Sequence, residues 1–341
     1  MPKNINLLSS FPISKPILLN NLKKALKIIL PFVIGAVILY YYLSGFTSEQ
    51  LNQIIASIKD ADFKWLAVSL ILGLISHIIR AYRWDYLLET LDYHPKKTNL
   101  VLTVGLSYLL NLVVPRAGEI GRAASLAQYE KNIKFEKAFG TIVAERMADI
   151  VFLLFFMALA FFLQFDLIYE MIAPKLPQNP IFLGVEILGF IGIFYLIFKQ
   201  LKKSKHPFIL KIRDFIHGLL QGMNSILMMP HKWWFILQTA LIWILYVAMF
   251  WVVLLAFPET KSLGIEPVLV GFIAGSIAMV ISNGGFGVYP VFVAEALALY
   301  GISLETGTAF GLLMWTAQTL LVIVFGLICM FMLPVYNEKK A

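Results

Sequence analysis

Apolar runs recur along the whole chain, at roughly 28–44, 65–79, 98–115, 138–163, 180–198, 234–257, 267–283, 286–301 and 308–333. Several approach or exceed the ~18–20 residues an α-helix needs to cross the ~30 Å hydrocarbon core of a bilayer. The strands of a buried soluble α/β core would be shorter, about 4–8 residues set off by turn signals. The pattern predicts an all-α polytopic membrane protein with about six to eight transmembrane helices.

The polar positions between these runs are unevenly charged. Basic residues collect at Lys3, Lys15, Lys23, Lys24 and Lys27, at Arg80, Arg83, Lys96 and Lys97, and at Arg116, Arg122, Lys131, Lys134 and Lys137. They collect again at Lys199, Lys202, Lys203, Lys205, Lys211, Arg213 and Lys232, and at the tail residues Lys339 and Lys340. The other linkers hold Lys59, Lys64, Lys175 and Lys261, offset by acids such as Glu49, Asp60, Asp62, Asp166, Glu170 and Glu259. Excess lysine and arginine marks cytoplasmic loops. The expectation is a multi-pass protein of the plasma (inner) membrane with both termini cytoplasmic. Its layout is a basic N-terminal segment (1–27), one transmembrane domain (28–335) and a short tail (336–341).

This assignment creates a parity problem at segment 98–115, whose two flanks are both basic. A spanning helix cannot begin and end on one side, whereas a re-entrant hairpin can. The run contains Gly105, Ser107 and Asn111 and ends at Pro115; such residues are tolerated at membrane depth where the backbone lines a cavity. The alternative is an ordinary span with one basic loop outside. Segments 267–283 and 286–301, separated by "SNGGFG" (282–287), raise the same choice between two short spans and a second re-entrant hairpin.

The two regions also resemble each other. Ile133-Lys134-Phe135-Glu136 is echoed by Ile302-Ser303-Leu304-Glu305, Ala138-Phe139-Gly140 by Ala309-Phe310-Gly311, and Gly118 by Gly285. Each unit reads as a broken apolar hairpin, a linker and a long helix. The charge pattern starts one long helix inside and the other outside, as in an inverted repeat, where binding sites lie near the midplane. Chance likeness between apolar segments is the competing explanation.

Composition narrows the function. The chain is 60% hydrophobic and 14% charged, against about 25% charged for soluble domains. Its net charge of +8, distributed as above, fits contact with anionic lipid and not nucleic acid. One cysteine, Cys329, excludes an intrachain disulfide, and His77, His94, His206, His217 and His231 are scattered without metal-ligand spacing. No metal, cofactor or catalytic residue is expected: the chain carries no nucleophile elbow, Walker loop, zincin motif or dinucleotide fingerprint. Linkers of at most about 35 residues leave no room for a soluble catalytic domain.

The charges inside apolar runs are the candidate chemistry. Glu145 and Asp149 lie one helical turn apart, and Arg146 reaches Asp149 at i,i+3. Ionisable groups in a membrane helix mark a binding site or pathway by default; a self-contained Arg146–Asp149 clamp is the plainer reading. Arg116, Glu119 and Arg122 recur at i, i+3 and i+6. The arginines suit forked hydrogen bonds to a phosphate, and Glu119 suits an arginine or a cationic headgroup. Solvated loop charges are the alternative. Arg80, Arg83 and Trp84 read as interfacial anchors.

"RAYRW" (80–84), "PRAGEIGR" (115–122), "ERMAD" (145–149) and "NGGFG" (283–287), in this order, resemble the lysylphosphatidylglycerol synthase transmembrane family, also called the flippase-like domain. The resemblance covers roughly residues 25–335. It implies a helical membrane bundle with re-entrant helices, linked to moving lipid across the bilayer. The positions it implicates are Arg116, Glu119, Arg122, Glu145, Arg146, Asp149, Gly284, Gly285 and Gly287. The family's turn often reads P-G-G-x-G-x-x-E; here Asn283 replaces the proline and Pro290 stands where the glutamate would be. No aminoacyl transferase domain is expected, so synthase activity is not implied.

The function these features suggest is binding and translocation of a phospholipid or glycolipid, with anionic headgroups as partners. The alternative is a membrane-embedded enzyme or accessory subunit of lipid or glycan synthesis, with such an enzyme as partner. The oligomeric state is left open.

Overall fold

The computed structural model describes residues 15–165, 206–282 and 284–338, together with the isolated positions 182, 188, 189 and 192. Asn283, the apolar segment 180–198 apart from those isolated positions, and the tail residues Lys339 and Lys340 lie outside the described residues. The described secondary structure is helical throughout: α1 (Lys15–Ser44), α2 (Ser48–Asp60), α3 (Phe63–Glu89), α4 (Lys97–Val113), α5 (Ala117–Tyr129), α6 (Phe135–Leu163), α7 (Pro207–Met228), α8 (Lys232–Leu254), α9 (Ile265–Ile281), α10 (Tyr289–Ala298) and α11 (Leu304–Glu338). Among the described residues, α3, α6, α8 and α11 are long and apolar enough to cross a membrane. Residues 29–44 of α1 and α2 together would make a fifth span, bent by 113°. The chain is thus an all-α, multi-pass membrane protein, as the lengths of its apolar runs predict.

The α1–α2 bend has a local cause. Thr47 and Gln50 form a capping box, Gln50 N–H donating to Thr47 Oγ1 at 3.3 Å and Thr47 N–H to Gln50 Oε1 at 2.9 Å. This supplies partners for backbone donors that a new helix would otherwise leave free. Ile54 is the buried centre of the apolar side of α2, with Leu51 and Ile58 packed beside it.

α3 and α8 run antiparallel along their length. Asp62 N–H donates to the Ala256 carbonyl at 3.0 Å at one end, and His231 faces Glu89 at 3.5 Å at the other. Between them, Ser69 donates to the Met249 carbonyl at 3.1 Å.

α4 and α5 form a closed hairpin. At its base Glu130 accepts from Asn99 at 2.7 Å and from Lys96 N–H at 3.0 Å. At its tip Asn111 Oδ1 accepts from Gly118 N–H at 2.8 Å, so this polar residue in an apolar run caps α5. At about 1.5 Å per residue the arms are roughly 26 and 20 Å long, short of a ~30 Å core. α9 and α10 make a second hairpin, folded back so that Gly275 lies beside the Tyr289 ring and Gly271 beside Leu297. The turn between them uses left-handed backbone at Gly284 (φ 64°), Gly285 (φ 78°) and Gly287 (φ 72°). At Gly287 a side chain would also strike the backbone of Gly35 in α1, so both conformation and space require glycine there.

The element order short helix, turn, short helix, linker, long helix therefore occurs twice, in α4–α6 and α9–α11. α11 joins the two units. It packs antiparallel on α4, where Gly105 lies against Cys329 and Phe325 and Gly326 against Leu109, and on α10, where Gly307 meets Ala294 and Gly311 meets Pro290. The hairpin tips approach each other: a Cβ on Gly284 would sit 3.9 Å from Leu112 Cδ2.

Candidate functional site: a buried ionic cluster

Helix periodicity brings five charged side chains from three elements into one space. On α3, Arg80 and Arg83 share a face at i,i+3; on α6, Glu145 and Asp149 share one at i,i+4. Arg83 Nη1 lies 2.8 Å from Asp149 Oδ1, and its Nη2 lies 2.9 Å from Glu145 Oε1. Arg80 Nη1 reaches Asp149 Oδ2 at 2.7 Å and Glu145 Oε1 at 3.2 Å. One planar fork thus bridges two carboxylates, a geometry lysine cannot reproduce. From α5, Arg122 Nη2 sits 3.0 Å from Glu145 Oε2. Its guanidinium lies 3.8 Å over the Trp84 ring, and Trp84 Nε1 donates to Thr141 Oγ1 at 2.8 Å.

The cluster is interior. Glu145 and Arg83 are 0% exposed, Arg122 2%, Arg80 5% and Asp149 9%. The interfacial role expected for Arg80, Arg83 and Trp84 is therefore corrected: all three are buried inside the bundle and engaged there. Two carboxylates inside α6 would be prohibitive alone, and α3 supplies the cations they require.

Other predicted residues sit elsewhere. Arg146 pairs with Glu119 at 2.7 Å on a half-exposed rim and is 3.6 Å from Asp149, so its principal partner lies on α5 and not on its own helix. Arg116 does not continue the stripe of Glu119 and Arg122. It precedes α5 at the hairpin tip with left-handed backbone (φ 66°), exposed and without a described ion pair. Gly284, Gly285 and Gly287 shape the second tip and make no ionic contact; Gly284 accepts from Trp315 Nε1 at 2.7 Å.

Several site residues escaped the sequence pattern. Tyr246 on α8 accepts from Arg80 Nη2 at 3.0 Å, and Thr239 accepts from Arg83 Nη1 at 3.1 Å. Tyr108 on α4 packs its ring 4.2 Å from His77. The only available signal was a hydroxyl or imidazole inside an apolar run.

The electrostatics are unbalanced. Four arginines (80, 83, 122, 146) face three carboxylates (119, 145, 149), leaving one positive charge in surplus. Hydrogen-bonding capacity is also unspent: among the described residues, the buried Arg80 Nε, Arg83 Nε, Arg122 Nε, Tyr108 hydroxyl, His77 Nδ1 and Glu119 Oε2 find no hydrogen-bond partner. Arg122 and Glu145 are close enough for ionic attraction but not aligned for a hydrogen bond. A separate cavity of about 410 Å³ lies near the start of α3, lined by Gln53, Asp60, Glu259, Glu305 and others. The start of α3 is roughly 26 Å from Arg80, taking 1.5 Å per residue, and the cavity contains none of the cluster.

The sequence is similar to those of known membrane proteins. The family described as Lysylphosphatidylglycerol synthase TM region matches residues 28–326. A UPF0104 membrane protein of Pyrococcus horikoshii is 24% identical over 143 residues, 41% of each chain. A UPF0104 membrane protein of Methanocaldococcus jannaschii is 29% identical over 109 residues, 31% of this chain and 32% of its own. The matched stretches thus span about a third to two fifths of these relatives' lengths. No solved structure matches significantly.

Proposed function

From the premise that the chain belongs to the Lysylphosphatidylglycerol synthase TM region family, we propose that it is a lipid translocase of the plasma (inner) membrane, moving a phospholipid or glycolipid between leaflets. The observation that carries this reading is the buried ionic cluster, built where the α4–α5 hairpin meets α3 and α6. Charged groups inside a membrane bundle are costly and mark a polar pathway.

On this reading both hairpins are re-entrant and related as an inverted repeat, with their tips near the midplane. The basic residues Lys96, Lys97, Lys131 and Lys134 at the base of the first hairpin support a cytoplasmic base, and the basic residues near the two ends of the sequence support cytoplasmic termini. Arg116, exposed at the tip, and Arg122, inside, engage the phosphate with Arg146 beside them; Glu119, Glu145 and Asp149 hold the arginines and meet the headgroup's remaining polar groups. The site lowers the cost of carrying a polar headgroup through hydrocarbon, and no covalent step is required.

The test is reconstitution into liposomes with labelled lipids, comparing the wild type with Arg122→Ala and Glu145→Gln variants that remain monodisperse. The expected result is wild-type exchange between leaflets well above that of empty vesicles, reduced in both variants. Exchange no faster than in empty vesicles, across phospholipid and glycolipid classes, would sink the reading.

A further inference from the structure

The cluster is complete as a structural clamp on one side only. Toward α6, both oxygens of Asp149 and one of Glu145 are engaged by Arg80 and Arg83. Toward α4, polar capacity is left over. Among the described residues the buried Tyr108 hydroxyl has no hydrogen-bond partner, nor do Nδ1 of His77, whose ring it packs against, and Arg80 Nε. Tyr108 lies within electrostatic reach of Arg80, Arg146, Tyr246 and Glu145. A buried hydroxyl with no acceptor destabilises the fold unless something else occupies the site. The same region carries the unbalanced positive charge. The rim is more exposed: the side chains of Arg146 and Glu119 are 38% and 21% exposed.

Together these features define an incomplete anion site. We infer that the Tyr108 hydroxyl and Arg80, with Arg122 and Arg146 beside them, receive a singly charged phosphodiester, and that the preferred lipid therefore has a headgroup of net charge −1. This rests on the translocase reading and narrows its substrate class. One phosphodiester oxygen accepts from the Tyr108 hydroxyl, and its charge brings the cluster to neutrality. A zwitterionic headgroup would neutralise the arginines but bring a cation of its own. A headgroup of net charge +1 would deepen the imbalance. Position 290 is consistent with this: it is Pro290, packed against Gly311, and contributes no carboxylate to hold a cationic headgroup.

The experiment uses the full chain in neutral detergent micelles and reads thermal stabilisation by short-chain lipids at equal mole fraction. The probes are phosphatidylglycerol, phosphatidylcholine and lysyl-phosphatidylglycerol, with glycerophosphoglycerol as the same phosphodiester without acyl chains. Ligands that bind only the folded state raise its midpoint by mass action. Phosphatidylglycerol is expected to stabilise at concentrations at least tenfold below phosphatidylcholine, and lysyl-phosphatidylglycerol to stabilise least. Tyr108→Phe removes only the unpartnered hydroxyl. Its ligand-free midpoint should match or exceed the wild type, while its phosphatidylglycerol affinity falls roughly tenfold, the order expected for one hydrogen bond to a charged group.

Equal stabilisation by zwitterionic and anionic lipids overturns the inference. So does a Tyr108→Phe variant that is less stable without ligand, or one that binds phosphatidylglycerol as tightly as the wild type. Stabilisation by glycerophosphoglycerol equal to that by the lipid keeps the phosphodiester site and assigns it to a soluble ligand, against the translocase reading. Rapid lipid exchange in liposomes without anionic preference keeps the translocase reading and removes this one.

Discussion

Neutralising Glu145 without changing its shape is the sharpest perturbation of the cluster. Its carboxylate lies within 3.2 Å of guanidinium nitrogens from Arg80, Arg83 and Arg122, and it is fully buried. Glu145→Gln leaves Arg80 and Arg83 to Asp149 alone and strips Arg122 of its described ion pair. Removing one partner of a buried ion pair costs about 3–5 kcal/mol, because the other charge stays uncompensated. At roughly 2–3 °C per kcal/mol for a chain of this size, the midpoint in detergent should fall by about 6–15 °C. Glu119→Gln breaks the Arg146 pair on the half-exposed rim, where solvent screening limits the loss to about 1 kcal/mol, or roughly 3 °C. Adding Arg122→Met to Glu145→Gln removes one stranded cation and should raise the midpoint, a coupling of about 0.5–3 kcal/mol for groups in contact. The assay is thermal unfolding of the two single variants, Arg122→Met and the double variant, followed by intrinsic fluorescence. A Glu145→Gln shift no larger than that of Glu119→Gln would refute the reasoning, as would strictly additive loss in the double variant.

Two further outcomes test the frame that holds the cluster. In Gly326→Leu the new side chain starts with its Cβ 2.6 Å from that of Leu109, so α11 must separate from α4. Overpacking of this kind costs about 1–3 kcal/mol or more, and a midpoint unchanged from the wild type would contradict the close crossing. In a Cys329→Ala background, Lys96→Cys and Lys131→Cys, both exposed at the hairpin base, should react with an impermeant maleimide from the same side of the membrane. Labelling from opposite sides would contradict re-entry of the first hairpin.

How much of this was legible beforehand depended on the kind of signal. The all-α architecture followed from run lengths, because a bilayer fixes how long an apolar helix must be. The α4–α5 break followed from Pro115 and its flanking charges. The grouping of Glu145 and Asp149 on one helical face followed from their spacing, but their partners did not. Arg80 and Arg83 precede them by about 65 residues, and nothing local distinguishes an arginine bound to headgroups from one bound to a buried acid. Two buried acids require cations, and only the fold shows that α3 supplies them, beside Trp84. Arg116 departs from its stripe because the turn gives it left-handed backbone, which a regular helical projection does not foresee. Tyr108 was silent because a tyrosine in an apolar run commonly finds its partner in the core; only its unpartnered hydroxyl in three dimensions separates it from the rest.

The central claim is that the ionic cluster, where the α4–α5 hairpin meets α3 and α6, holds a lipid headgroup. The most direct measurement is an experimental density map of the protein in nanodiscs containing phosphatidylglycerol. The account predicts headgroup density within hydrogen-bonding distance of the Tyr108 hydroxyl and Arg80. A map in which Tyr108 and the arginines are satisfied by protein groups alone, with lipid confined to the outer surface of the bundle, would contradict it.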